Sequence, residues 1–93
     1  MASVRSIKKD IDYLISEVVS DSYLTIYFHP EKRDEAVKVI EEAVALRNTL
    51  VAKANNPAEK NNPHLVKRHY DQLRRDLLEG VDGLFQKISE ICK

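Results

Sequence analysis

The stretch that decides the fold of this chain is residues 66–91, which read VKRHYDQLRRDLLEGVDGLFQKISEI. Its apolar residues recur at steps of three and four, at Val66, Tyr70, Leu73, Leu77, Val81, Leu84, Ile88 and Ile91. This spacing is that of one face of an α-helix. A helix of about 28 residues is roughly 42 Å long, the long dimension of a small domain. One helix cannot bury such a face alone, so we expect the rest of the chain to cover it.

Length and composition predict one folded domain spanning residues 1–93. Apolar residues make up 43% of the chain and charged residues 32%, which is typical of a globular protein and not of a disordered one. Lysine plus arginine equals aspartate plus glutamate, 15 each, so the net charge favours neither nucleic acid nor a membrane surface as the partner. The single cysteine, Cys92, excludes an internal disulfide and predicts a reducing, cytoplasmic setting.

The amino-terminal segment does not read as a signal peptide. Its apolar residues are interrupted by Asp10 and Asp12, so the apolar core of a signal peptide is missing. No apolar run elsewhere in the chain approaches the length of a transmembrane helix, and we expect no membrane contact.

The first helix is predicted from Val4, capped by Ser3, to about residue 28. One apolar face comprises Val4, Ile7, Ile11, Leu14 and Val18. Because the next positions on that face are the polar Ser22 and Thr25, we expect the buried face to rotate near Ser20–Ser22. A second face would then take over, comprising Ile15, Val19, Tyr23 and Ile26. The segment Tyr23–Phe28 also alternates like a β-strand, which leaves an extended conformation open.

The second helix is predicted over about residues 31–54, after the break at His29–Pro30. Its start is either Pro30 or a cap by Asp34. Its main apolar face comprises Ala36, Val37, Ile40, Ala43, Val44, Leu50, Val51 and Ala54, which leaves Val39 and Leu46 outside.

Arg47 is a charged residue within the apolar face of the second helix. One interpretation is an arginine at the edge of the face with its charged end in water. The alternative is an arginine paired across a helix–helix or subunit interface.

A linker from Asn55 to Asn62 leads to the third helix, predicted over about residues 63–92, with Asn62 as its cap and Pro63 in its first turn. Gly80 and Gly83 lie three apart in it, where they either admit a neighbouring backbone or only weaken the helix. The three helices predict an all-α, up-down-up bundle in which the first and third helices are parallel.

The opening residues carry a resemblance to other proteins. The chain begins Met1-Ala2-Ser3 and continues with Lys8-Lys9-Asp10-Ile11. This opening resembles a group of short uncharacterised all-helical proteins from Bacteroidetes bacteria. The resemblance implies a helical, cytoplasmic, bacterial protein, and it implies no activity and no functional residues.

The residues that could carry chemistry do not form a catalytic or metal-binding pattern. His64 and His69 are five apart, whereas two metal ligands on one helix are three or four apart. His29 stands beside a proline in a connection. Asp10 and Asp12 project to different faces of a helix, and no phosphate-binding glycine loop is present. We therefore predict no catalytic, cofactor-binding or metal-binding residues, no cofactor and no enzymatic activity.

A basic segment at the start of the third helix gives a second hypothesis, a nucleic-acid-binding protein. Between residues 60 and 75 five cationic side chains stand against Asp71: Lys60, Lys67, Arg68, Arg74 and Arg75. Lys67, Arg68, Arg74 and Arg75 are the candidate phosphate contacts. The alternative is a solvated face in which Asp71 pairs with the arginines.

The leading hypothesis is a non-enzymatic bundle that acts through protein–protein contact, as a homodimer. Each helix carries more apolar surface than one groove of a bundle needs, and a symmetric dimer commonly covers such a surplus. The predicted contact residues are Val19, Tyr23, Tyr27 and Phe85. A third hypothesis is a carrier of a small molecule in a cavity of the bundle.

Overall fold

The computed structural model describes residues 4–56 and 61–93 of the chain. It contains three helices, α1 (Val4–Phe28), α2 (Arg33–Asn55) and α3 (Pro63–Ile91), with a short 3-10 turn at Pro30–Lys32. The described residues contain no strand, so the predicted all-α, three-helix up-down-up bundle is confirmed. The predicted Ser3 cap and the basic residue Lys60 lie outside the described residues.

The bundle is a rod. Its Cα atoms extend over 51 × 17 × 17 Å, and their radius of gyration is 15.2 Å. A compact chain of this length would have a radius of gyration of about 12 Å. The elongation follows from the long helices, since no connection folds back over either end in the described part of the chain.

The connection between α1 and α2 settles whether Tyr23–Phe28 is extended. The whole segment is helical, and the backbone N–H of His29 still donates to the carbonyl of Thr25 at 2.7 Å.

Pro30 begins the 3-10 turn and not α2, and Asp34 lies within the first turn of α2 and does not cap it. Neither predicted start of the second helix, Pro30 as its first residue or Asp34 as its cap, is therefore found, because the proline starts a separate tight turn.

The apolar face of α3 forms the centre of the core, as its spacing predicts. Its buried residues are Tyr70, Leu73, Leu77, Val81, Leu84 and Ile88. The predicted burial of Leu73, Leu77, Leu84 and Ile88 is thus confirmed, since their exposed fractions lie between 2% and 8%.

The predicted rotation of the buried face in α1 was wrong. Ser22 and Thr25 are buried, so the first face continues straight to the end of the helix. The Ser22 hydroxyl donates to the carbonyl of Val18 at 2.8 Å, and the Thr25 hydroxyl donates to the carbonyl of Asp21 at 2.9 Å. Because both hydroxyls find acceptors within the helix, these small side chains can be buried without an unpaired polar group.

The predicted face of α2 was wrong at three residues, Val39, Val44 and Leu46. Val39 is only 3% exposed although it was placed outside the face, and Val44 is 45% exposed although it was placed within it. The reason is that α2 packs against both α1 and α3. A helix between two partners buries a seam with steps of three and four, which here runs through Ala36, Val39, Ala43, Leu46 and Leu50.

Hydrogen bonds cap the start of α3 and also join α3 to the end of α2. The side chain of Asn62 accepts from the backbone N–H groups of His64 at 3.1 Å and Leu65 at 3.3 Å, which confirms the predicted cap. The ring Nε2 of His69 donates to the carbonyl of Lys53 at 2.7 Å, and the Tyr70 hydroxyl donates to the carbonyl of Ala54 at 3.2 Å. Two neighbouring residues of α3 thus bind carbonyls in the last turn of α2, where a helix lacks its regular backbone donors. The carbonyl of Lys53 also accepts from the backbone N–H of Asn56 at 3.3 Å.

Candidate interaction surfaces

Four large apolar side chains are exposed together at the carboxyl end of α1. They are Tyr23, Leu24, Tyr27 and Phe28, each between 54% and 77% exposed, and we call them the aromatic end surface. The rings of Tyr27 and Phe28 meet edge to face with their centroids 5.1 Å apart. At roughly 200 Å² for a full side chain of this size, the surface presents on the order of 500 Å². The largest apolar patch of a typical monomer is about 300–600 Å² and often functional.

The aromatic end surface arises because the last turns of α1 reverse the usual distribution of polarity. An amphipathic helix buries its apolar side chains and exposes its polar ones. Here Ser22 and Thr25 take the buried positions, so the four large side chains that surround them in sequence point outward. The Thr25 hydroxyl lies 3.6 Å from the Sγ atom of Cys92, which places the end of α3 beside the end of α1.

A second apolar feature lies along the groove between α1 and α3. We call the side of the rod that carries this groove, with Asp10 and Tyr13 of α1 and Arg74 and Leu78 of α3, the α1–α3 face. Asp10 pairs with Arg74 across the groove, with Oδ2 3.4 Å from Nη2. The groove continues as an open depression of about 310 Å³ lined by Tyr13 and Leu78, both more than half exposed. Leu24 lies three turns after Tyr13 and Phe28 one turn further, so these two residues of the aromatic end surface continue the same face of α1.

The four predicted contact residues do not lie on one face. Val19 is two turns after Asp12, which pairs with α2, so Val19 and the next residue in that row, Tyr23, lie on the α2 side of α1. Phe85 is two turns after Leu78 and lies on the α1–α3 face. Tyr27 points outward between the two sides and is the most exposed of the four.

Arg47 makes the second of its two predicted arrangements, a pair across a helix–helix interface. Its Nε atom donates to Oδ1 of Asp12 at 2.9 Å, and both side chains remain about half exposed. A similar pair joins the other two helices, where Nζ of Lys87 lies 2.6 Å from Oε2 of Glu42. These pairs are in water, so each contributes at most about 1 kcal/mol to stability.

The predicted phosphate contacts Lys67, Arg68, Arg74 and Arg75 are all exposed. Arg74 pairs with Asp10 of α1, and the predicted pairing of the arginines with Asp71 is not found among the ion pairs of the described residues. Because α1 and α3 are parallel, the first turns of α1 lie at the same end of the rod as this segment. They bring three further cations, Arg5, Lys8 and Lys9, which the sequence analysis did not connect with it.

Charge is separated along the rod when each helix is divided at its midpoint. We call residues 4–16, 44–56 and 61–77 the basic half, which holds nine lysines and arginines against four aspartates and glutamates. The acidic half, residues 17–43 and 78–93, holds five lysines and arginines against ten aspartates and glutamates. The described residues thus carry a net charge of five in each half, positive in one and negative in the other. Counting charge by half-helix in the predicted up-down-up order would have found this separation.

Each of the three histidines makes a contact within the bundle. The backbone N–H of His64 takes part in the cap of α3, and the ring of His69 binds the end of α2. His29 lies beside Glu31, with Nδ1 3.6 Å from Oε1. Within residues 4–56 and 61–93 no group of three histidine, cysteine, aspartate or glutamate side chains is arranged to hold a metal ion.

Comparisons of the chain with protein-family models, with curated proteins and with solved structures found no match. The resemblance to the Bacteroidetes proteins therefore stays a prediction. In the part of the chain that the structure describes, none of the helices has both the length and the apolar character that crossing a membrane requires.

Proposed function

We propose that this protein is a non-enzymatic helical bundle of the cytoplasm that acts through protein–protein contact and forms a homodimer. The observation that supports this most is the aromatic end surface, in which three aromatic rings and a leucine are exposed side by side. Tyrosine and phenylalanine bury much apolar area and lose little conformational freedom, so they are frequent at the centre of interfaces.

The aromatic end surface is large enough for a dimer contact only if the apolar residues beside it also take part. A standard interface buries about 800 Å² on each partner, more than the roughly 500 Å² of the aromatic end surface. Phe85 and Leu78 of α3 extend the apolar area along the α1–α3 face. Because Leu78 is about half exposed and Phe85 is partly buried, they add on the order of 150 Å², and polar residues around them must supply the rest of a standard contact.

The experiment is light scattering coupled to size exclusion at micromolar concentration, on the wild-type chain and on Tyr27→Lys and Phe28→Lys. We expect a dimer mass for the wild type and a monomer mass for both variants, because a lysine ammonium in the contact loses its hydration without a partner. Both positions are exposed, so the variants should keep the helix content of the wild type in circular dichroism.

Val44→Lys is the matched control, because Val44 is also an exposed apolar residue and lies on α2 away from the α1–α3 face. It should leave the dimer mass unchanged. A monomer mass for the wild type at every concentration would contradict the proposal, and so would a dimer that both aromatic variants retain.

The charge of the basic half favours a second candidate function, binding of nucleic acid through phosphate contacts. Arg68 and Arg75 are exposed and make no ion pair within 4 Å among the described residues, so they are free to bind phosphates. If this function is correct, the wild type is retained on DNA or RNA at about 50 mM salt and released as salt rises. Arg68→Ala with Arg75→Ala should weaken retention of every sequence alike. No retention of the wild type at this salt concentration would rule the function out.

A further inference from the structure

We infer that the second copy docks antiparallel on the α1–α3 face, with the basic half of each copy against the acidic half of the other. This inference rests on the proposed self-association and adds the surface and the orientation of the partner. The separation of charge along the rod and the position of the apolar residues on that face support this arrangement.

Most of the charge in each half is not neutralised by ion pairs among the described residues. In the basic half, Arg47 and Arg74 pair with Asp12 and Asp10, and the described part of the chain shows no ion pair for the other seven of the nine cations. In the acidic half the only ion pair between lysine or arginine and a carboxylate, within the described residues, is Lys87 with Glu42. An antiparallel copy brings unlike halves together at both ends, whereas a parallel copy brings like halves together.

Both signs of charge lie on the α1–α3 face itself. Glu17 and Asp21 follow Asp10 by two and three turns, so they lie on the same face of α1. Lys67 lies two turns before Arg74, on the face of α3 that Arg74 presents to α1. Arg75 and Asp82 lie one turn before and one turn after Leu78, on the same side of α3. Asp71 also lies there, two turns before Leu78, but Lys67 and Arg75 outnumber it, so the face is positive at one end and negative at the other.

The apolar residues of the α1–α3 face are placed where an antiparallel copy can contact them. Tyr13 and Leu78 lie near the middle of the rod, where a two-fold axis perpendicular to it brings each residue close to its own copy. Phe28 lies at the acidic end, so the same axis brings it to the partner's basic end. An aromatic ring there meets lysine and arginine side chains, a pairing that is favourable in itself.

A competing arrangement joins the two aromatic end surfaces directly, end to end. That arrangement brings the two acidic halves together, and the two arrangements respond to salt in opposite directions. Salt weakens attraction between unlike halves and also weakens repulsion between like halves, since the Debye length falls from about 10 Å at 0.1 M to about 3 Å at 1 M.

The test begins with the dissociation constant of the wild-type dimer, measured by sedimentation at salt concentrations between about 0.05 and 0.5 M. The antiparallel arrangement predicts a constant that rises about tenfold or more over this range. A constant that falls or stays level overturns the antiparallel arrangement and leaves the self-association intact. A wild-type monomer at all salt concentrations overturns both proposals.

The decisive step uses charge reversal on the face. The acidified variant carries Lys67→Glu and Arg75→Glu, and the basified variant carries Glu17→Lys and Asp82→Lys, all at exposed positions. Each variant alone places like charges against each other in the antiparallel dimer, so each should run as a monomer. An equimolar mixture restores unlike charges at both ends and should run as a dimer.

The control is Lys53→Glu and Glu41→Lys, which reverse one charge of each sign on α2, away from the face, and should keep the wild-type dimer. A dimer that either face variant retains alone, or a mixture that stays monomeric, overturns the arrangement. A wild-type monomer that elutes with nucleic acid until salt releases it overturns the arrangement as well, and assigns the basic half to phosphate contacts.

Discussion

At the scale of single residues, the two glycines of α3 have different surroundings and should respond differently to the same change. A Cβ atom added to Gly80 would lie 2.7 Å from Cδ2 of Leu46, whereas one added to Gly83 would meet no atom within 4 Å. The predicted close approach at Gly80 is thus made by a side chain of α2 and not by its backbone. Gly80 makes room for Leu46, and Gly83 only costs helix stability.

We expect Gly83→Ala to raise the free energy of unfolding by about 1 kcal/mol, the difference in helix propensity between glycine and alanine. Gly80→Ala gains the same propensity but must move Leu46, so its gain should be smaller or absent. Urea denaturation of the two variants measures the difference. Equal gains at both positions would show that Leu46 moves without cost.

At the scale of elements, the buried face of a helix was predicted best where its apolar residues follow a single row of the helical period. On α3 the apolar residues occupy one phase of the helical period, so the face and the core residues Leu73 and Leu77 were predicted correctly. On α2 apolar residues occupy several phases, and only packing against two partners selects Val39 over Val44. On α1 the prediction failed at Ser22 because polarity was taken as exposure, although a hydroxyl that binds its own helix is easily buried.

The surfaces were less predictable than the core, for a physical reason. Exposure of Tyr27 and Phe28 depends on the burial of Ser22 and Thr25 in the same turns, which periodicity alone does not decide. The basic half depends on which helix ends are neighbours, so Lys67 and Lys9, distant in the sequence, lie in the same half of the rod only once the chain is folded.

The junction of α2 with α3 makes a testable contribution to stability. Tyr70 is buried and its hydroxyl donates to the carbonyl of Ala54 at 3.2 Å. Tyr70→Phe keeps the ring and removes the donor, so we expect a loss of about 0.5–1.5 kcal/mol in the free energy of unfolding. Tyr13→Phe is the control, because Tyr13 is exposed, and it should change stability by less than about 0.5 kcal/mol. A Tyr70→Phe variant as stable as the wild type would show that water replaces the lost donor.

At the scale of the whole molecule, the core of the rod is continuous along its length, whereas charge and aromatic side chains are unevenly distributed over its surface. The core includes residues of all three helices, whereas the surface separates positive from negative charge and exposes the rings of Tyr23, Tyr27 and Phe28 together at one end. A chain of 93 residues buries only about 60–65% of the surface that it exposes when unfolded, so its stability as a monomer should be modest. Association that covers the aromatic end surface would therefore stabilise the fold as well as serve the function.

This coupling predicts that the melting temperature depends on protein concentration. A dimer is favoured by mass action and its unfolded chains are not, so the melting temperature of the wild type should rise between about 1 and 100 μM. Phe28→Lys removes the association and should melt at one temperature throughout that range, close to that of the wild type at the lowest concentration. Circular dichroism at 222 nm (the helix signal) follows both melts. A wild-type melting temperature that does not change with concentration would mean that the folded chain gains no stability from a second copy.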